Sequence, residues 1–142
     1  MTARSDFAHI DVGDELSTLR LTLTPEQVKQ YAVTAGMPGG RFMDDEEARK
    51  EGLPGQIAPG NMSLALLSRL IAASFPGMRL KRLNATFRVP VRPNVPIIVH
   101  GVVTEKHASE QGCFVECDLV LESDEGERWV TGTASVYLPQ HN

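Results

Sequence analysis

The sequence predicts an α+β domain in which a curved antiparallel β-sheet wraps one long central helix. Three observations carry this. Residues 59–77, PGNMSLALLSRLIAASFPG, are helical in composition and bounded by proline and glycine. At about 100° per residue, Ser63, Ser68 and Arg69 fall on three different sides, so the helix is apolar nearly all round and expected to be buried nearly all round. Four strand-like stretches follow, at residues 80–91, 97–106, 113–122 and 129–138, separated by short turns that favour antiparallel neighbours. A buried helix in so small a domain needs a wrapper, and these strands supply it.

The elements follow in order. Residues 16–23, LSTLRLTL, alternate, with Leu19, Leu21 and Leu23 on one face. Thr24-Pro25-Glu26-Gln27 is a helix start, with Thr24 as N-cap, Pro25 in the first helical position and Glu26 in the first turn. That helix runs to about Ala35 and stops at Gly36. A loop rich in glycine comes next, then a short acidic helix over residues 44–50, ending at Gly52. Beyond the central helix, Leu83, Ala85, Phe87, Val89 and Val91 share one face. Cys113, Val115, Cys117, Leu119 and Leu121 oppose Glu116, Asp118 and Glu122. Asp124-Glu125-Gly126 makes a hairpin turn, and Val130, Ala134, Val136 and Leu138 line the last strand. No repeat or low-complexity linker interrupts this order, so residues 1–142 are expected to form one domain.

Composition narrows the function classes. Charged residues make up 23 % and hydrophobic ones 42 %, which suits a globular protein. The net charge is −4 and Lys and Arg are scattered, which argues against nucleic-acid binding. No apolar run approaches ~18 residues, so no membrane span is expected, and the N-terminus has no apolar signal-peptide region. Cys113 and Cys117, on one face of a strand, sit roughly 13 Å apart, too far for a disulfide. They are expected as reduced, buried thiols in a cytoplasmic protein. His9 lies near the start, His141 in the tail and His107 in the polar turn EKHASEQG, while His100, beside Ile98 and Val102, reads as a sheet histidine. No pair has metal-ligand spacing and no phosphate loop is present, so neither metal nor cofactor is expected.

Several stretches in this order carry a resemblance: DVGDEL near the start, GQIAPGNMSLALLSRLI, Phe75-Pro76-Gly77, FRVPV and the closing GTASVYLP. From about Asp11 to Pro139 the chain resembles the MaoC-like hot-dog family of (R)-specific enoyl-CoA hydratases and 3-hydroxyacyl-thioester dehydratases. The resemblance implies the hot-dog fold, an acyl-CoA or acyl-carrier-protein thioester as ligand, and a homodimer or a heterodimer with another hot-dog subunit. The family pattern runs roughly S-G-D-x-N-P-x-H-x-D, with a later I-A-H-G at the start of the central helix. Laid on this sequence, Ala35-Gly36 keep the first two places. The catalytic Asp falls on Met37, the Asn-Pro on Gly39-Gly40 and the catalytic His on Phe42, while the following Asp is kept as Asp44. The I-A-H-G becomes Ile57-Ala58-Pro59-Gly60, and Ser68 stands where a small hydroxyl is common.

Adding water to an enoyl thioester needs a base, an acid and N–H groups that polarise the thioester carbonyl. The N-terminus of the central helix, at Gly60 and Asn61, supplies the last. Met37 and Phe42 carry no proton, and losing one general acid or base costs ~10²–10⁴-fold in rate. Asp44 and Arg41 are the substitutes at hand. Asp44 with Asp45, Glu46 and Glu47 also reads as an acidic first helix turn, and Arg41 as a partner of Asp44 or Asp45, or of a ligand carboxylate or phosphate. The resulting expectation is a hydratase-lineage protein that binds acyl thioesters through Met37, Phe42, Gly60, Asn61 and Ser68, lacks the Asp/His chemistry, and acts as a binding or partner subunit. The alternatives are an active hydratase, dehydratase or thioesterase with a rebuilt site, and a binder of hydrophobic small molecules.

Overall fold

The computed structural model describes residues 7–139, so His141 lies outside the described residues. The element order is β1 (Leu19–Thr22), α1 (Pro25–Thr34), α2 (Asp45–Lys50), α3 (Gly60–Ser74), β2 (Arg79–Phe87), β3 (Pro96–Ser109), β4 (Gly112–Ser123) and β5 (Arg128–Pro139), with single 3-10 turns at Phe7–His9 and Gly40–Phe42. The strands form one antiparallel sheet in the order β1-β3-β4-β5-β2. This is the α+β arrangement expected from the sequence.

Local chemistry sets the element ends. At α1 the Gln27 N–H donates to Thr24 Oγ1 at 3.1 Å and the Thr24 N–H donates to Gln27 Oε1 at 2.9 Å, a reciprocal cap. The helix ends at Gly36, whose φ of +70° suits a residue without Cβ. At α2 the Asp44 carboxylate accepts from the Glu47 N–H at 2.7 Å. Strand ends differ from expectation: β1 begins at Leu19 rather than at residue 16, β2 ends at Phe87 rather than at Val91, and β3 extends through His107 to Ser109, so that histidine sits in the sheet rather than in a turn. It pairs with Phe114, the two rings stacked 5.0 Å apart, and its Nε2 lies 3.6 Å from Glu116. The polar residues there mark the outward face of a strand, which in sequence looks the same as a loop.

The core lies between α3 and the inner face of the sheet. Leu67, Leu70 and Ile71 pack against a layer that includes Val99, Val103, Val115, Leu121 and Val130. Wrapping requires the sheet to bend, and a row of paired residues shows where. Gly101 pairs with Leu119, Leu119 with Gly132, and Gly132 with Ala85. A Cβ on Gly101 would stand 2.5 Å from the Asp118 carbonyl oxygen, and one on Gly132 would stand 2.5 Å from the Asn84 oxygen. These two glycines let neighbouring backbones approach along a crease.

The sheet does not close around α3. Asn61, Ala65, Arg69, Ala72 and Ala73 remain exposed along one side of the helix, which corrects the expectation of burial nearly all round. Five strands from one chain reach round only part of a helix. Edge strand β2 is also largely exposed, with Phe87 at 50 %. The thiols are free as expected. Cys117 is buried and its pKa is pushed up to about 12, first by burial and then by Glu116 and Asp118, while Cys113 is half-buried.

Two outcomes follow from this packing. Gly132→Ala should lower unfolding free energy by about 1–3 kcal/mol, measured by urea denaturation, because the obstacle is backbone. The raised Cys117 pKa means that the unfolded chain releases this proton first as pH rises. Stability should therefore fall from about pH 9 toward about pH 12, and Cys117→Ala should flatten that part of the curve.

Candidate functional site

The candidate site forms where the loop after α1 meets the first turn of α3. No side chain caps α3; Pro59 precedes it, so the first-turn N–H groups at Gly60 and Asn61 and the positive end of the helix dipole are available. The loop reaches this point because the Met37 N–H donates to the Ala32 carbonyl at 2.8 Å, folding the chain back past Gly36. Asn61 Nδ2 then contacts Met37 Sδ at 3.8 Å. Phe87, at the end of β2, completes the corner: a Cβ on Gly60 would lie 3.3 Å from its ring. Sequence reasoning placed Phe87 in the strand pattern and in the FRVPV stretch, but not at the site. Its exposure, on a face that is otherwise half-buried, is visible only in three dimensions.

The remaining expected residues separate. Phe42 is buried, with the Arg41 guanidinium 4.5 Å above its ring. Its carbonyl accepts from Gln56 Nε2 at 2.8 Å; the same amide donates to Pro25 O at 3.0 Å, and the Gln56 N–H donates to Asp45 Oδ1 at 2.8 Å. Gln56 thus ties the start of α1, the Gly40–Phe42 turn and α2 into one overhang beside the site. Ser68 is half-buried, eight residues along α3 from Gly60, and does not join this corner. Asp44 is occupied as the α2 cap. Arg41 pairs with Glu51 at 3.2 Å, not with Asp44 or Asp45, because α2 turns its C-terminal end toward the loop. His100 is the sheet histidine expected, its Nε2 2.9 Å from Glu122 Oε1 on the outward face.

Two cavities matter for placing a ligand. The larger, about 650 Å³, lies on the outward face around His100, with the sheet between it and α3. The second, a groove of about 580 Å³ between β1, α1 and α3, begins at Met62, directly after Asn61. Only the second adjoins the α3 N-terminus. Among the described residues no cluster of His, Cys, Asp or Glu that would hold a metal is present, and no helix is long and apolar enough to cross a membrane. A charge pattern passed over in the sequence also becomes meaningful. No Asp or Glu occurs between Glu51 and Glu105, while Arg69, Arg79, Lys81, Arg82, Arg88 and Arg92 all do. That segment builds α3, the exposed edge β2 and the first part of β3, so these stretches carry cations without carboxylates of their own.

Residues 8–124 match the family model described as MaoC like domain. Over 82 residues the chain is 32 % identical to the mitochondrial 3-hydroxyacyl-[acyl-carrier-protein] dehydratase of Arabidopsis thaliana, a match covering 58 % of this chain and 49 % of that one. The chain therefore spans about half the length of the curated relative it matches. Among solved structures it is similar to the R-hydratase PhaJ1 of Pseudomonas aeruginosa, with a TM-score of 0.84, 22 % identity, and coverage of 96 % of this chain and 87 % of that one. It is also similar to a chain of the ChsH1-ChsH2 complex of Mycobacterium tuberculosis, with a TM-score of 0.78, 19 % identity, and coverage of 90 % and 98 %. These structural likenesses establish the fold.

The overhang yields a third outcome. Gln56→Met keeps the volume but leaves the Phe42 and Pro25 carbonyls without their donor. Such a loss costs about 1–3 kcal/mol, so the variant should show a lower urea midpoint and faster proteolysis within residues 36–56.

Proposed function

The chain belongs to the MaoC-like domain family and has the hot-dog fold, and from that premise we propose that it binds acyl thioesters without performing the family's Asp/His hydration, as a binding or partner subunit. The observation that carries this is the Asn61–Met37 contact at the uncapped start of α3. By the family pattern, the acid–base pair belongs at Met37 and Phe42. Here a thioether and a phenyl ring stand there, and neither transfers a proton. The N–H groups of Gly60 and Asn61 still suit a thioester carbonyl. Asp44, as a helix cap, and Arg41, paired with Glu51, give a rebuilt site no free group.

The partner is a second hot-dog subunit, the same chain or another. The edge strand β2, with its half-exposed Phe87, is the surface such a subunit covers. Beyond α3, Arg79, Lys81, Arg82, Arg88 and Arg92 favour an anionic thioester handle, coenzyme A or a carrier-bound phosphopantetheine. The two free cysteines favour a reducing, cytoplasmic setting.

The test is hydration of short, medium and long enoyl-CoA thioesters by the purified protein, with thermal shifts on the same ligands. We expect thermal stabilisation by thioesters and turnover at least ~10²-fold below an Asp/His enzyme. Joint substitution Met37→Asp and Phe42→His should raise any residual hydration. Turnover at an ordinary hydratase rate by the native chain would overturn the reading.

A further inference from the structure

The groove beside the candidate site has one feature that the thioester reading leaves unused. Its apolar part is built by Leu21 of β1, Leu23 just after that strand, and Met62 and Leu66 of α3, with Tyr31 and the uncharged polar Gln27, Gln30 and Thr34 of α1 along its side. Arg69 is its one charged lining residue. Among the described residues the Arg69 guanidinium has no hydrogen-bond or ion-pair partner, and the nearest carboxylates in sequence are Glu51 and Glu105. An apolar trough with an unpaired cation at its far end suits a ligand that is apolar along its length and anionic at its tip.

Building on the thioester reading, we propose that this groove takes an acyl chain whose distal end carries a carboxylate, and that Arg69 reads that end. The groove begins one residue after Asn61, so a thioester seated at the start of α3 directs its acyl chain along the helix. From Met62 to Arg69 the helix rises about 10 Å. An extended chain advances about 1.2 Å per bond, so roughly eight to ten carbons bring a terminal carboxylate beneath the guanidinium. The planar fork of Arg meets a carboxylate with two parallel N–H···O bonds, which a methyl end cannot supply.

The test is calorimetric titration at about 50 mM salt, where screening is weak, with two saturated ligands: decanoyl-CoA and the mono-CoA thioester of decanedioic acid. Neither can be hydrated, so the readout is binding alone. We expect the ω-carboxy ligand to bind about tenfold more tightly, the scale of one charge-assisted contact, and the preference to shrink as salt is raised. Arg69→Met should abolish the preference between the two ligands, and Arg69→Lys should retain part of it. Equal affinities in the native chain, or a preference that survives Arg69→Met, overturn this inference alone. Failure of both thioesters to bind overturns the thioester reading, and this inference with it.

Discussion

A fifteen-residue helix with large aliphatic groups on most of its sides is insoluble as an isolated element, and covering it is the constraint on which the rest of this molecule depends. The cover is a sheet, and a flat sheet cannot follow a helix. Bending is obtained where Gly101 and Gly132, joined through Leu119, let neighbouring backbones come together. That crease places the inward residues of β3, β4 and β5 against Leu67, Leu70 and Ile71. Curvature and core are therefore the same problem, solved by leaving out two side chains.

The same geometry creates the functional corner. Because the sheet covers one side of α3, the other side and the helix N-terminus remain open. The loop after α1 folds over that end and is held by one buried amide, Gln56, which satisfies carbonyls from two segments distant in sequence. The corner thus has fixed walls, free N–H groups and an apolar groove leading away from it. What it holds at Met37, beside Asn61, is a thioether, which moves no proton.

Charge adds direction. The molecule is acidic overall, yet the segment forming α3 and β2 contains cations and no carboxylate. Acidic residues are concentrated in α2 and on the outward face of β4, where Asp44, Glu47 and Glu116 are taken up by caps and ion pairs.

The sequence by itself determined the order of helices and strands and most of the inward residues, because those follow from period and from caps that act within a few residues: Thr24 with Gln27, Asp44 with Glu47, and the alternation through β4. It also identified the lineage and drew attention to Met37, Phe42, Gly60 and Asn61. Only the tertiary structure decided which of these meet. Met37 touches Asn61, Phe42 turns into the overhang, Ser68 lies two turns away, and Phe87 and Gln56 enter from segments that nothing local connects to the site. His107 entered the sheet because strand pairing continues beyond where polar composition suggests a turn. Arg41 found Glu51 rather than its neighbours because the direction of α2, not sequence distance, sets which carboxylate it reaches. Periodicity and capping are local and are written in the chain; the choice of partner is made by packing.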